Sequence, residues 1–156
     1  MRKIIFRGKR KDNKEWVKGG YYKDHCYGNK VGENTYIINW NTFGLGFIDN
    51  IKVDPETVGQ YTGLDPELVQ DEKLVFDGDI VEITDHTIEE TFKRCDALVT
   101  MLMTRTYEVF WNVTKWSIKS LEPMLAVDPP IFDLPTKNVT YEIVGNIHDN
   151  PELLGV

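Results

Sequence analysis

The 156-residue chain is poor in the residues that build metal and nucleophile sites. Its two cysteines, Cys26 and Cys95, lie far apart, and neither belongs to a Cys-x-x-Cys pair, which excludes zinc-knuckle and thioredoxin-type motifs. Two cysteines in a chain of this size also argue against a disulfide scaffold. The three histidines, His25, His86 and His148, are dispersed, so no metal and no cofactor is expected. No apolar run approaches the ~20 residues of a membrane span. The opening Met1–Arg7 is charged and carries too short an apolar patch for a signal peptide. These absences predict a cytosolic protein with no membrane partner.

Positive charge is scarce as well. Eighteen Lys/Arg stand against 25 Asp/Glu, a net charge of −7, which counts against an ordinary nonspecific DNA binder. The deficit is not uniform. Residues 1–30 hold ten cations against Asp12, Glu15 and Asp24, a net +7, and the remaining 126 residues carry −14. The basic stretch includes a run at Lys9, Arg10 and Lys11 that is read as a patch of exposed charge. Strict alternation along Arg2–Arg7 puts Arg2, Ile4 and Phe6 on one face and Lys3, Ile5 and Arg7 on the other, and neither face is a clean cationic stripe.

Apolar residues make up 41% of the chain and aromatics 12%, enough for a core and too many for disorder. Most segments read as strands, rich in aromatic and β-branched residues and bounded by turn signals. The candidates are 3–7, 16–22, 34–40, 57–62, 80–83, a hairpin pair at 107–113 and 116–118, and 141–147. The glycines of Trp16–Tyr22 suggest a bulge, and Asp77-Gly78 is a strong turn signal. One segment departs from this pattern: Ile88, Phe92, Cys95, Val99 and Leu102 follow a helical spacing, which predicts an amphipathic helix at about 87–103, in an insertion at about 86–104. The proline-rich segment 122–135 is expected to be irregular and packed on the core. The whole of 1–156 reads as a single, mainly β domain.

Six blocks carry a resemblance. Val53-Asp54-Pro55-Glu56-Thr57-Val58-Gly59-Gln60-Tyr61-Thr62-Gly63-Leu64 is the most distinctive. It is joined, in order along the chain, by Arg2–Arg7, Trp16–Tyr22, Asp77–Val81, Tyr107–Trp111 and Tyr141–Leu154. Together they resemble the YopX family, small proteins encoded by bacteriophages and prophages. The resemblance implies an SH3-like β-barrel core in a bacterial host cell. It implies no reaction. Two parts depart from the family pattern, the more apolar and acidic linker Asp65–Phe76 and the 87–103 helix.

The polar residues that chemistry would need have structural readings beside them. Asp77 and Asp79 flank Gly78, and Asp54 and Glu56 stand in the signature block; such carboxylates bind cations or trade protons, but aspartates at turns more often bond backbone amides. Gln60 and Tyr61 either face a groove or fix strand register inside the barrel. Trp16 and Tyr22, with Tyr21 and Trp40, either pack in the core or stack bases beside the basic patch. His25 with Cys26 makes a weak nucleophile pair. With no catalytic constellation, the expected function is a non-catalytic protein-interaction or self-assembly module, partnered by another protein or by copies of itself. The alternative is a nucleic-acid-associated module that uses the basic amino-terminal segment.

Overall fold

The computed structural model describes residues 4–24, 34–39, 49–86, 104–121, 131–135 and 137–154. The chain divides into two compact units, Met1–Tyr61 and Thr62–Val156. Each contains one five-stranded antiparallel sheet.

The first sheet is built from β1 (Phe6–Lys9), β2 (Trp16–Lys23), β3 (Thr35–Asn39), β4 (Asp49–Val53) and β5 (Gly59–Gln60), in the order β4-β3-β2-β1-β5. β2 changes partner along its length. Trp16 to Gly19 pair with β1, and Gly20 to Lys23 pair with β3. The glycine pair therefore marks a handover between neighbours, where the sequence suggested a bulge, and its registers run without a shift. Gly19 is required there: a Cβ at this position would lie 2.8 Å from the backbone carbonyl carbon of Ile38 and closer still to its oxygen. Register separates the residues into two faces. Phe6, Gly8, Val17, Gly19, Ile37 and Val53 share the inward face, where Ile37 and Val53 are wholly buried. Burying each such side chain contributes about 1.5–3 kcal/mol.

The signature block wraps β1. Asp54 caps the 3-10 turn Pro55–Thr57 by accepting a bond from the Glu56 amide, with proline at its first position. Thr57 donates its hydroxyl to the Asp54 carbonyl and accepts the Lys9 amide, at 2.8 and 2.9 Å. β5 then pairs with Phe6 and Arg7, and the Tyr61 amide donates to the Ile5 carbonyl at 2.8 Å. The distinctive residues of this block are thus spent on holding β1. Across the other end of β1, a single antiparallel bridge joins Arg10 to Val53 of β4.

The second sheet comprises β6 (Asp79–Asp85), β7 (Thr104–Asn112), β8 (Lys115–Ser120), β9 (Ile131–Asp133) and β10 (Val139–Asn146), in the order β10-β6-β7-β8-β9. Alternate residues of its strands supply the core cluster, while Ile80 and Ser117, of the opposite parity, are buried as well. Val81 and Ile83, Val109, Trp116 and Ile118, and Val139 and Tyr141 meet Leu64, Val69 and Val75 in one cluster. Two short 3-10 turns, Pro66–Leu68 and Gln70–Glu72, lie in the apolar, acidic linker, and between them Val69 bridges Tyr141. That accounts for the linker's apolar residues: Leu64, Val69 and Val75 are core. A last 3-10 turn, Pro151–Leu154, follows Asn150. The same Asx-Pro-Glu sequence starts a 3-10 turn at residues 54, 65 and 150.

The fold is mainly β, and the helical stretches among the described residues are short 3-10 turns. The single closed SH3-like barrel expected from the sequence is not what these residues form. They make two separate sheets, because strand alternation fixes which side chains share a face and leaves open which strands share a sheet. The expected helix at 87–103 lies outside the described residues, as do 122–130 of the proline-rich segment; within that segment Ile131–Asp133 form β9.

Candidate functional site

The residues singled out in the sequence separate into three places. The first is the Asp77-Gly78-Asp79 turn of the second unit. The Asp79 amide donates back to the Phe76 carbonyl at 3.1 Å, and the Asp79 carboxylate accepts the buried Phe76 amide at 2.7 Å. Gly78 has φ +78°, a left-handed value that glycine adopts without strain. Its amide donates to Val109 and its carbonyl accepts from Ile147, both at 2.9 Å. The turn therefore ties β7 to the end of β10, with Asp79 only 1% exposed. Every bond described there is structural.

The second place is the signature block. Asp54 caps a turn, Gln60 is half-buried opposite Phe6, and Tyr61 is buried. Among the described residues, no group of three His, Cys, Asp or Glu is placed to hold a metal ion. No described helix is long and apolar enough to cross a membrane. His25, Cys26, Trp40 and Cys95 lie outside the described residues. His86 is exposed, with its Nε2 2.7 Å from the Thr140 hydroxyl.

The third place is the outward face of the first sheet, and here sequence-predicted residues are brought together. Cross-strand pairing sets Lys9 opposite Trp16, Arg7 opposite Lys18, Gly20 opposite Ile38, and Tyr22 opposite Tyr36. Tyr36 in turn stands opposite Lys52 of β4, and Ile38 opposite Asn50. Strand alternation puts all of these on the face away from Ile37 and Val53. Two contacts confirm the assignment. The Arg7 guanidinium sits 4.6 Å from the Trp16 ring centre and the Lys9 ammonium 5.5 Å from it, within cation–π range. The Tyr22 and Tyr36 rings lie 6.2 Å apart, tilted by 33°. Tyr22 is 47% exposed, and Lys18, Asn50 and Lys52 are exposed too. The face thus holds four cations and three aromatic rings, and none of its strand positions is Asp or Glu.

The basic run at Lys9, Arg10 and Lys11 is divided by this geometry. Lys9 belongs to the outward face. Arg10 turns the other way along the strand and makes a two-pronged contact with Asp12, Nε to Oδ1 at 2.9 Å and Nη2 to Oδ2 at 2.6 Å. That hydrogen-bonded guanidinium holds the Asp12 carboxyl down to about 2, below the usual carboxylate range, and the Arg10 pKa is raised in return. Arg10, Lys11 and Asp12 line an open cleft of about 430 Å³ with Asn50, Ile51 and Lys52. Three members of the outward face, Lys18, Tyr36 and Lys52, were not among the residues that sequence reasoning picked out. They lie on three different strands, and only the pairing register joins them.

Charge follows the same division. Met1–Tyr61 holds eleven Lys/Arg against seven Asp/Glu, a net +4, and Thr62–Val156 holds seven against eighteen, a net −11.

No curated protein and no solved structure matches the chain significantly. The family model described as YopX protein matches residues 5–155, nearly the whole chain. The chain belongs to the YopX protein family.

Proposed function

We propose that the protein acts by binding and not by catalysis, and that its working surface is the outward face of β1–β4. The observation that carries this reading is the side-chain content of that face. Arg7, Lys9, Lys18 and Lys52 surround Trp16, Tyr22 and Tyr36 with no carboxylate in register among them. A solvated face maintained only for solubility mixes both signs of charge and keeps few exposed aromatic rings. The carboxylates with the best claim to chemistry, Asp54 and Asp79, bond backbone amides instead. Membership of the family supports an origin in a phage or prophage and a place of work in the bacterial cytosol.

Affinity capture from bacterial cells producing the protein tests the reading, with wild type set beside a Lys18→Glu/Tyr22→Ala/Lys52→Glu variant and each run repeated after nuclease treatment. The face is the working surface if whatever wild type retains is lost from the variant. Retention of the same set by a folded variant refutes it.

A specific observation favours a second reading, a protein partner or a second copy of the chain. At the β7–β8 turn Trp111 is 45% exposed, packed edge-on against Trp116 at 5.1 Å, and Val113 is 84% exposed. Val113 also has φ +52°, an unfavourable conformation for a β-branched residue. An apolar, strained tip of this kind suits a protein contact. Light scattering that shows a dimer or larger closed assembly, reverted to monomer by Trp111→Ala/Val113→Gly, supports it; a wild-type monomer over the accessible concentration range rejects self-assembly.

A further inference from the structure

We propose that the outward face of the first sheet binds single-stranded nucleic acid, with Tyr22 and Tyr36 as the stacking platform and Arg7, Lys9, Lys18 and Lys52 as the phosphate contacts. This inference rests on the reading of that face as the working surface and names its ligand. Three features of the face select the ligand. The first is charge: Arg7, Lys9, Lys18 and Lys52 share one sheet face on which none of the described strand positions is Asp or Glu, in a protein whose net charge is −7. An acidic protein that concentrates its cations on one sheet face is complementary to a polyanion at that face and repels it elsewhere.

The second feature is the exposed aromatic pair. A duplex hides its base faces and offers nothing for a tyrosine ring to stack on. Unpaired bases do, and each base–aromatic stack contributes without regard to sequence. Tyr22, 47% exposed with Tyr36 beside it at 6.2 Å, presents such a ring. The third feature is the arrangement around Trp16. Its ring is engaged by Arg7 and Lys9, so we assign it a positioning role. It holds the guanidinium and the ammonium on the face before ligand arrives, which lowers the ordering cost of each phosphate contact.

Dimensions agree with a short strand of ligand. Trp16 and Tyr22 are six residues apart along β2, about 20 Å at ~3.3 Å per residue. A path of this size holds on the order of four nucleotides, the lower end of what one small β domain covers. Four phosphate contacts predict a log–log salt slope of about −2.8 for a single strand, so affinity falls about fifty-fold between 50 and 200 mM salt.

Fluorescence anisotropy with labelled twenty-nucleotide oligo-dT, oligo-rU and a duplex of equal length tests this on the full chain. Wild type is expected to bind both single strands in preference to the duplex, with a salt slope between about −2 and −3. Lys18→Ala/Lys52→Ala should reduce that slope to about −1.4. Tyr22→Ala should weaken binding about five-fold or more at fixed salt and leave the slope unchanged. Trp16→Ala should weaken binding in proportion to the lost order of Arg7 and Lys9. Lys115→Ala, an exposed cation of the second unit, should change nothing, and circular dichroism on each variant separates lost contacts from lost folding. The inference is overturned if neither single strand binds at 50 mM salt, if the duplex binds as well as the single strands and Tyr22→Ala has no effect, or if the slope ignores Lys18 and Lys52. A nuclease-resistant protein captured through the same face, together with no oligonucleotide binding, would sink this inference and leave the face as the working surface. Capture indifferent to the face would sink both.

Discussion

Replacing Asp79 with alanine distinguishes a structural carboxylate from a catalytic one. Asp79 is buried and its carboxylate accepts the Phe76 amide at 2.7 Å, with both ends of that bond out of water. A hydrogen bond to a charged group contributes about 1.5–3 kcal/mol, and stranding a buried amide costs about 1–3 kcal/mol by itself. These two figures describe one loss from two sides, so the expected destabilisation is about 2–3 kcal/mol and not their sum. For a chain of this length that lowers the melting temperature by roughly 4–12 °C. Asp79→Asn keeps an acceptor oxygen in the same place and should cost less than about 1.5 kcal/mol. Urea denaturation followed by circular dichroism reads both. An Asp79→Ala protein as stable as wild type would refute the assignment of this aspartate to the turn, and would return it to the list of groups free to do chemistry.

Three further outcomes follow from the geometry. Gly19→Ala places a methyl group against the Ile38 carbonyl, so β2 and β3 must separate; a loss of about 3 kcal/mol, the upper end of overpacking costs, is expected in urea denaturation. Tyr141 is wholly buried, its hydroxyl donates to the Pro135 carbonyl, and burial pushes its pKa well above the usual tyrosine value. The folded pKa being the higher one, the stabilisation is complete below about pH 10 and is lost as pH rises beyond it, by up to ~1.4 kcal/mol per pH unit. Tyr141→Phe should remove that alkaline dependence while costing about 1 kcal/mol at neutral pH. The Asp12 carboxyl should titrate near 2 by carbon-detected NMR, and Arg10→Ala should return it to the ordinary carboxylate range. Because this folded pKa is depressed, the contact's contribution is present above about pH 4 and fades as pH falls toward 2.

Much of the strand content was legible because aromatic and β-branched residues cluster between turn signals. β2, β3, the β7–β8 hairpin and β10 fall where those clusters stand. β4 was not legible. Asp49-Asn50-Ile51-Lys52-Val53 is only five residues long, two of them poor strand formers, and its pairing with β3 stabilises it more than any local preference does. Asp77-Gly78 was readable as a turn from the dipeptide alone, whereas the burial of Asp79 depends on tertiary placement, with its carboxylate on the buried Phe76 amide and the turn tied to Val109 through Gly78. The outward face of β1–β4 shows the limit most directly. Alternation along Arg2–Arg7 shows no clean cationic stripe, and Lys18, Tyr36 and Lys52 carry no signal in their own strands. They become neighbours of Arg7 and Tyr22 through the handover at Gly19-Gly20, a register that no single segment encodes.

The central claim is that the outward face of β1–β4 is where this YopX-family protein meets its ligand, and that the ligand is single-stranded nucleic acid. The most direct measurement is a titration of unlabelled oligo-dT into isotope-labelled protein, followed by two-dimensional NMR. The account predicts shifts concentrated at Arg7, Lys9, Trp16, Lys18, Tyr22 and Lys52, with the Thr62–Val156 unit unmoved. Shifts confined to the second unit, or none at low salt, would contradict it.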